Sequence, residues 1–297
     1  MRPTPDPQSP LRDFRATRDY FVGIDSDGCA FDTMEVKWKE CFIPQIIRFF
    51  GLAAVSKYAR EVAEFINLYS RWRGINRFPG LVKTLDMLAE RPEVRRRGFL
   101  VPDVPGLRRW LENATTLANS ALRVEVAATN DPSLALAYEW SEAVNRMIGE
   151  VVRAVPPFPF VRESLEALAG KADVMVVSAT PGEALDREWS EHGLKRHVAL
   201  IAGQEHGSKK EHLALATRGR YEPSKVLMVG DAPGDREAAE ANGVLFYPIE
   251  PGREDESWQR FHDEALPRFL AGAYEGEYMA ERVARFEKLL PAAPPWK

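Results

Sequence analysis

Asp25 and Asp27 stand in the run Phe21-Val22-Gly23-Ile24-Asp25-Ser26-Asp27-Gly28. The apolar stretch from Tyr20 to Ile24 leads straight into two carboxylates and then into a glycine. Such a stretch has the character of a buried strand in a parallel sheet. Its last side chains arrive at the carboxyl edge of the sheet, where α/β proteins bind their ligands. Two carboxylates delivered there are costly unless something positive sits between them.

Three later segments carry comparable chemistry. Val176-Val177-Ser178-Ala179-Thr180 ends an apolar strand in a hydroxyl, which can donate to a phosphate oxygen without adding charge. Gly207-Ser208-Lys209-Lys210-Glu211-His212-Leu213 places two lysines behind a plausible helix cap, Ser208. Lys225 to Gly230 is another apolar strand, and it runs into Asp231-Ala232-Pro233-Gly234-Asp235. Asp231 and Asp235 are four apart, so both can face one point as the chain turns into a helix. Each segment alone has a plainer reading. Ser178 could end a strand, the lysines could be solvated, and Asp235 could be an acid in a first helical turn. What sets the four apart from chance is their order.

The DxDG after an apolar strand resembles the first motif of the haloacid dehalogenase superfamily, and the other three segments resemble its second, third and fourth. The third motif is a Lys at a helix start with an apolar residue four positions on. That spacing points to Lys209 with Leu213 below it, and Lys210 is the rival. The resemblance implies that Asp25 is a nucleophile and Asp27 an acid/base, with Ser178 and Lys209 completing the catalytic set. It implies Mg²⁺ held by the carboxylates of Asp25 and Asp231, the backbone carbonyl of Asp27, waters and substrate. Asp235 would steady the metal's waters or Lys209. An Asp at position 27 argues against dehalogenases, phosphonate-cleaving members and ion pumps, which lack it. It favours an oxygen leaving group that needs a proton.

These motifs need elements to carry them. Strand candidates at Ala172–Ser178, 198–202, 225–230 and 244–249 alternate with helical segments at 161–169, 182–192, 209–218 and 234–241. That alternation predicts a parallel sheet with crossover helices. Between Thr33 and about Val155 the periodicity is helical, with candidates over 34–50 (kinked at Pro44), 56–72, 80–90, 106–128 and 133–153. Asp131-Pro132-Ser133 is a start signal for the last, and Pro156-Pro157-Phe158-Pro159 ends the block. The fold class expected is α/β: a Rossmann-like parallel sheet core with helices on both faces, plus an inserted all-helical cap domain. Its expected parts are a loose tail over 1–19, the core over 20–32 and 156–250, the cap over 33–155, and a helical extension over 251–297 packing on the core. In the family, an insertion between the first two motifs is a cap of the first type.

Composition sets bounds. The 297 residues are 45% hydrophobic and 28% charged, with a net charge of −4, so no nucleic-acid or membrane partner is expected. The N-terminal prolines lack the apolar core of a signal peptide, and no apolar run reaches transmembrane length. Cys29 and Cys41 fit no metal pattern and read as reduced thiols of a cytoplasmic protein. Within the cap, Arg71-Trp72-Arg73-Gly74-Ile75-Asn76-Arg77-Phe78 gathers cations, an amide and aromatics. Arg71, Arg73, Asn76 and Arg77 could bind an anionic or polyhydroxylated leaving group. Equally, the arginines could neutralise a helix C-terminus that stops at Gly74. The function expected is a Mg²⁺-dependent phosphatase for a small phosphorylated metabolite. The alternatives are a phosphomutase on the same fold and a non-catalytic binding or regulatory protein.

Overall fold

The computed structural model describes residues 6–296. The chain forms two compact units: residues up to 33 together with 154–289, and residues 34–153 together with those from 290 on.

The first unit is built on five parallel strands: β1 (Tyr20–Ile24), β2 (Ala172–Val177), β3 (Leu200–Ala202), β4 (Val226–Gly230) and β5 (Leu245–Pro248). Their spatial order is β3-β2-β1-β4-β5. Every residue of β2, β4 and β5 is buried, which is why these strands, Asp173 in β2 apart, read as apolar runs without alternation. The chain builds outward from β1 through β2 to β3, then restarts on the other side of β1 with β4. The carboxyl ends of β1 and β4 therefore flank the point where strand order reverses, where doubly wound sheets bind ligands.

The segment following β5 completes this unit. Trp258, Phe261, Phe269 and Tyr274 are fully or almost fully buried in one cluster with Val22, Ile24, Val174 and Val229. Trp258 Nε1 also donates to the carbonyl of Cys29, 2.7 Å away, tying this segment to the loop after β1.

The expectation of a loose tail over 1–19 is corrected for its described part; residues 1–5 lie outside the described residues. Leu11 is fully buried, and Gln8 Nε2 donates to the carbonyl of His206. The cause is Asp173, a buried carboxylate in β2. It accepts from the Thr17 amide, the Thr17 hydroxyl, the Arg18 amide and the Tyr221 hydroxyl. A buried carboxylate must be satisfied, and the arm supplies three of these four donors.

The second unit is helical around a core that includes Trp140, Phe78, Ile66 and Leu107. Ser56–Leu68, Arg77–Glu90 and Pro132–Val151 are its longest helices. Asp131 caps the last by accepting from the amides of Ser133 and Leu134. The single helix expected over 106–128 is instead two, Pro105–Asn113 and Asn119–Thr129. The chain turns extended at Ala114, where the two β-branched residues Thr115 and Thr116 follow and favour leaving the helix. The kink expected at Pro44 takes the form of a π turn over Lys37–Phe42, closed by the Ile43 amide on the Trp38 carbonyl. A second π turn, Phe261–Ala265, precedes Pro267 in the other unit. Proline cannot donate and its ring clashes with the carbonyl four residues back, so a wider turn ahead of it relieves both problems. The last residues also depart from expectation. Residues from 290 on group with the helical unit and not with the core. Trp296 packs edge-on against Phe65 and lies 4.2 Å from the Arg91 guanidinium.

Hydrogen bonding holds the Asp173 carboxyl below its usual pKa: burial pushes it up, and the Thr17 and Tyr221 hydroxyls and the arm amides more than offset this. Its stabilising effect is present above the normal carboxylate range and is lost as pH falls through the depressed pKa. Asp173→Asn is expected to cost about 2 kcal/mol in urea unfolding at pH 7. The cost should shrink toward pH 3, and the arm should become a site of proteolytic cleavage.

Candidate active site

β1 ends at Ile24, so Asp25 is the first side chain beyond the sheet edge. Its amide still donates to the carbonyl of Val229 in β4, 3.0 Å away, which fixes the carboxylate between the two strands. Asp25 is 4% exposed, and Asp231 and Asp235 are fully buried. One carboxylate oxygen from each of the three lies within 4.8 Å of the others.

Lys209 is the cation that bridges two of them, Asp25 and Asp235. Its Nζ is 2.7 Å from Asp25 Oδ2 and 2.6 Å from Asp235 Oδ1. The helix Lys209–Thr217 starts with a capping box between Ser208 and Glu211. It can approach β1 closely because position 23 is Gly. A Cβ there would lie 3.3 Å from Leu213, 3.1 Å from Val177 and 3.2 Å from Met228. Leu213, one turn beyond Lys209, thus seats the helix on the strand and brings the ammonium to the strand's end. Lys210 is exposed on the same helix, and its carbonyl accepts from Asn242. The geometry separates the two lysines.

Asp235 is placed by the start of its own helix, Pro233–Asn242, where Oδ2 accepts from the Ala232 amide at 3.0 Å. Gly230 makes room for it, since a Cβ at 230 would stand 2.4 Å from the Asp235 Cβ. The Gly-Asp pair at the end of β4 is thus a steric requirement as well as a source of charge.

The electrostatics follow from three acids and one base. Burial pushes the Asp25 carboxyl well up, Lys209 pulls it back, and Asp235 and Asp231 push it up again. For Lys209, burial opposes the charge, and Asp235 and Asp25 more than offset that, so its pKa rises. The Cys29 thiol is pushed well up by burial and by Asp231, Asp25 and Asp235, so it stays neutral and is no nucleophile. The cluster is anionic in excess, and its donors are all oxygen. Such a set fits a small hard divalent cation such as Mg²⁺.

Asp27 has a different environment. It is half-buried and its two oxygens accept from two hydroxyls: Oδ1 from Thr33 at 2.5 Å and Oδ2 from Thr180 at 2.7 Å. Between the two acids, Ser26 is fully buried. Its hydroxyl donates to Glu188 and accepts from Trp189 Nε1, which fixes the loop carrying both carboxylates. Ser178, at the end of β2, accepts the Thr180 amide on its Oγ at 3.2 Å, so its own proton can be donated elsewhere.

The structure therefore gathers Asp25, Asp231, Asp235 and Lys209 in one cluster, with Asp27 two residues beyond Asp25 and linked to the Ser178 turn through Thr180. It handles the four helical-unit residues separately. Arg73 is buried and donates to the Leu68 carbonyl, the last of its helix. Asn76 caps the next helix by accepting from the Phe78 amide and donates to the Leu117 carbonyl. Arg77 donates to Ser141 and Asn145 and lies 4.9 Å over the Phe42 ring, and burial lowers its pKa to about 10. Arg71 is exposed, over the face of Trp72. Thr33, Thr180, Glu188 and Trp189 were not singled out from sequence. Thr180, two residues after Ser178 in the same segment, was the one with a positional signal.

Residues 112–248 match the model of the haloacid dehalogenase-like hydrolase family. That span carries the second, third and fourth motifs and is similar to haloacid dehalogenase-like hydrolases; the first motif follows β1, outside the matched span. No curated protein matches its sequence. Among solved structures it is similar to a HAD-superfamily hydrolase, subfamily IA, variant 1, from Geobacter sulfurreducens. Identity there is 19% over 78% of this chain and 89% of that one, with a TM-score of 0.40. It is also similar to a predicted phosphoglycolate phosphatase from Haemophilus somnus, at 15% identity over 78% and 85% of the two chains and a TM-score of 0.44. An L-2-haloacid dehalogenase from Xanthobacter autotrophicus is similar at 17% identity over 89% and 87%, with a TM-score of 0.37.

Removing the lysine should expose the charge imbalance. In EDTA at pH 7, Lys209→Met is expected to lower stability by about 3 kcal/mol, because it leaves buried carboxylates uncompensated. Lys210→Met should change it by less than about 0.5 kcal/mol. Urea unfolding of both variants checks this, and equal losses would contradict the assignment.

Proposed function

We propose that this protein is a haloacid dehalogenase-like hydrolase and a Mg²⁺-dependent phosphatase for a small phosphate ester, working through an aspartyl phosphate on Asp25. The observation that carries the reading is the pairing of two unlike carboxylates on one loop. Asp25 is packed among acids against Lys209, and Asp27 accepts from the hydroxyls of Thr33 and Thr180. Environments that differ in this way divide a nucleophile from an acid/base.

In the proposed reaction, an Asp25 carboxylate oxygen forms a bond to phosphorus as the ester P–O bond breaks. Asp27 gives its proton to the departing alkoxide. Asp27 then takes a proton from water, whose oxygen bonds to phosphorus as the acyl phosphate P–O bond breaks. Ser178 donates its hydroxyl proton to a phosphoryl oxygen. Lys209 holds Asp25 in orientation and offsets negative charge where nucleophile and phosphate meet. The carboxylates of Asp25 and Asp231 and the backbone carbonyl of Asp27 would hold Mg²⁺, with Asp235 steadying Lys209. When bound, the ion supplies charge neutralisation at the phosphoryl oxygens.

We assign choice of the leaving group to the helical unit. In its 71–78 segment Arg71 is the strongest candidate, because Arg73, Asn76 and Arg77 serve the unit's own backbone and side chains. A place in a reducing, cytoplasmic compartment accords with Cys29 and Cys41, which are both free. Among the described residues no helix is long and apolar enough to cross a membrane.

Phosphate release from a panel of phosphorylated metabolites, with Mg²⁺ and with EDTA, tests the reading. Asp25→Asn should lower release by on the order of 10⁴-fold or more. It should melt no lower than wild type in EDTA, since it removes one of three crowded acids. Asp231→Ala should lose both activity and the rise in melting temperature that Mg²⁺ gives wild type. Full activity in EDTA, or in Asp25→Asn, would overturn the proposal.

A further inference from the structure

The hydroxyl of Thr180 belongs to the turn after β2, yet it reaches the loop after β1. Its Oγ1 donates to Asp27 Oδ2 at 2.7 Å. The backbone that aims it is held on both sides of the Thr180 Cα. The Thr180 amide donates to Ser178 Oγ at 3.2 Å. The Thr180 carbonyl accepts from the Gln204 amide at 3.0 Å, which ties the turn to the segment following β3. Thr33 takes the other oxygen of Asp27 from the chain end of the same loop. A carboxylate held at both oxygens by two hydroxyls, from two separate segments, has its plane and its position set before any substrate arrives.

We infer that Thr180 is a positioning residue for Asp27, holding its carboxyl group where it can pass a proton to the leaving oxygen of the ester. The inference rests on the acid/base role proposed for Asp27. Proton transfer demands hydrogen-bond reach between the acid and the leaving atom, so an acid free to turn loses much of its effect. Valine at 180 keeps the shape of threonine and removes the donor. Serine keeps the donor on a smaller side chain. The same arrangement gives Ser178 a second duty: its oxygen anchors the Thr180 amide while its proton is left for the substrate. The second-motif turn thus sets the acid as well as the phosphate contact.

The test is a comparison of leaving groups. An aryl phosphate such as p-nitrophenyl phosphate expels a stable anion and needs little protonation. An alkyl ester such as glycerol phosphate expels an alkoxide and depends on the acid. Because kcat/KM covers the steps up to the first irreversible one, it reports the proton given to the leaving group. For Thr180→Val, the ratio of kcat/KM on glycerol phosphate to that on p-nitrophenyl phosphate should fall at least about tenfold, a fraction of the 10²–10⁴ typical of general acid catalysis. Thr180→Ser should restore the ratio to within about threefold of wild type. Thr180→Ala serves if the valine variant fails to fold, with the same expectation. Asp27→Asn is measured alongside. If it shows no selective loss on the alkyl ester, the acid/base role itself fails, whatever Thr180 does. If Asp27→Asn shows that loss while Thr180→Val and Thr180→Ala leave the ratio at the wild-type value, or serine fails to restore it, the positioning role is overturned alone.

Discussion

Three carboxylates buried within reach of one another cannot coexist without positive charge, and one lysine is the protein's own share of it. The fold around Asp25, Asp231, Asp235 and Lys209 can be understood as what is needed to bring these groups together and hold them there. Asp25 and Asp231 come from the ends of the adjacent strands β1 and β4. The lysine comes from a helix that approaches β1 over Gly23, and Asp235 from a first helical turn packed against Gly230. An excess of buried negative charge is also what a hard cation requires of its site.

The same sheet edge treats its two neighbouring acids differently. Asp25 is surrounded by ionised groups. Asp27, two residues on, is held by threonine hydroxyls, and the buried Ser26 between them is fixed by Glu188 and Trp189. A two-residue spacing along extended chain would put both side chains on one face, but the loop after β1 gives each its own partners. A division of labour between nucleophile and acid can arise from this without any change of residue type.

The arm ahead of β1 and the segment after β5 are parts of the α/β unit. Asp173 draws the arm in because its buried carboxylate needs donors. Trp258 reaches across to the carbonyl of Cys29 behind the first motif. Both serve backbone or carboxylate groups that the sheet alone leaves unsatisfied.

Local chemistry was legible in the sequence. Apolar runs ending in Asp25, Ser178 and Asp231 announced buried parallel strands, because burial on both faces leaves no alternation to read. The Asp131-Pro132-Ser133 start signal acts within one helical turn, where Asp131 accepts from the amides of Ser133 and Leu134. The spacing to Leu213 points to Lys209; in the structure that lysine meets Asp25 and Asp235, and Leu213 lies against Gly23. Other features depended on partners far along the chain and left no local pattern. A polar residue such as Thr180 or Thr33 looks the same whether it faces water or a carboxylate 153 or 6 residues away. The N-terminal arm, with its prolines, resembles a loose tail until Asp173 is known to be buried beside it. Arg73 and Arg77 carry the same charge whether they meet a ligand or a carbonyl, and only packing against Leu68 and Ser141 shows how they are used. Sequence determines which groups can be charged and which segments must be buried; tertiary structure decides which group answers which, because that depends on distances the chain order does not contain.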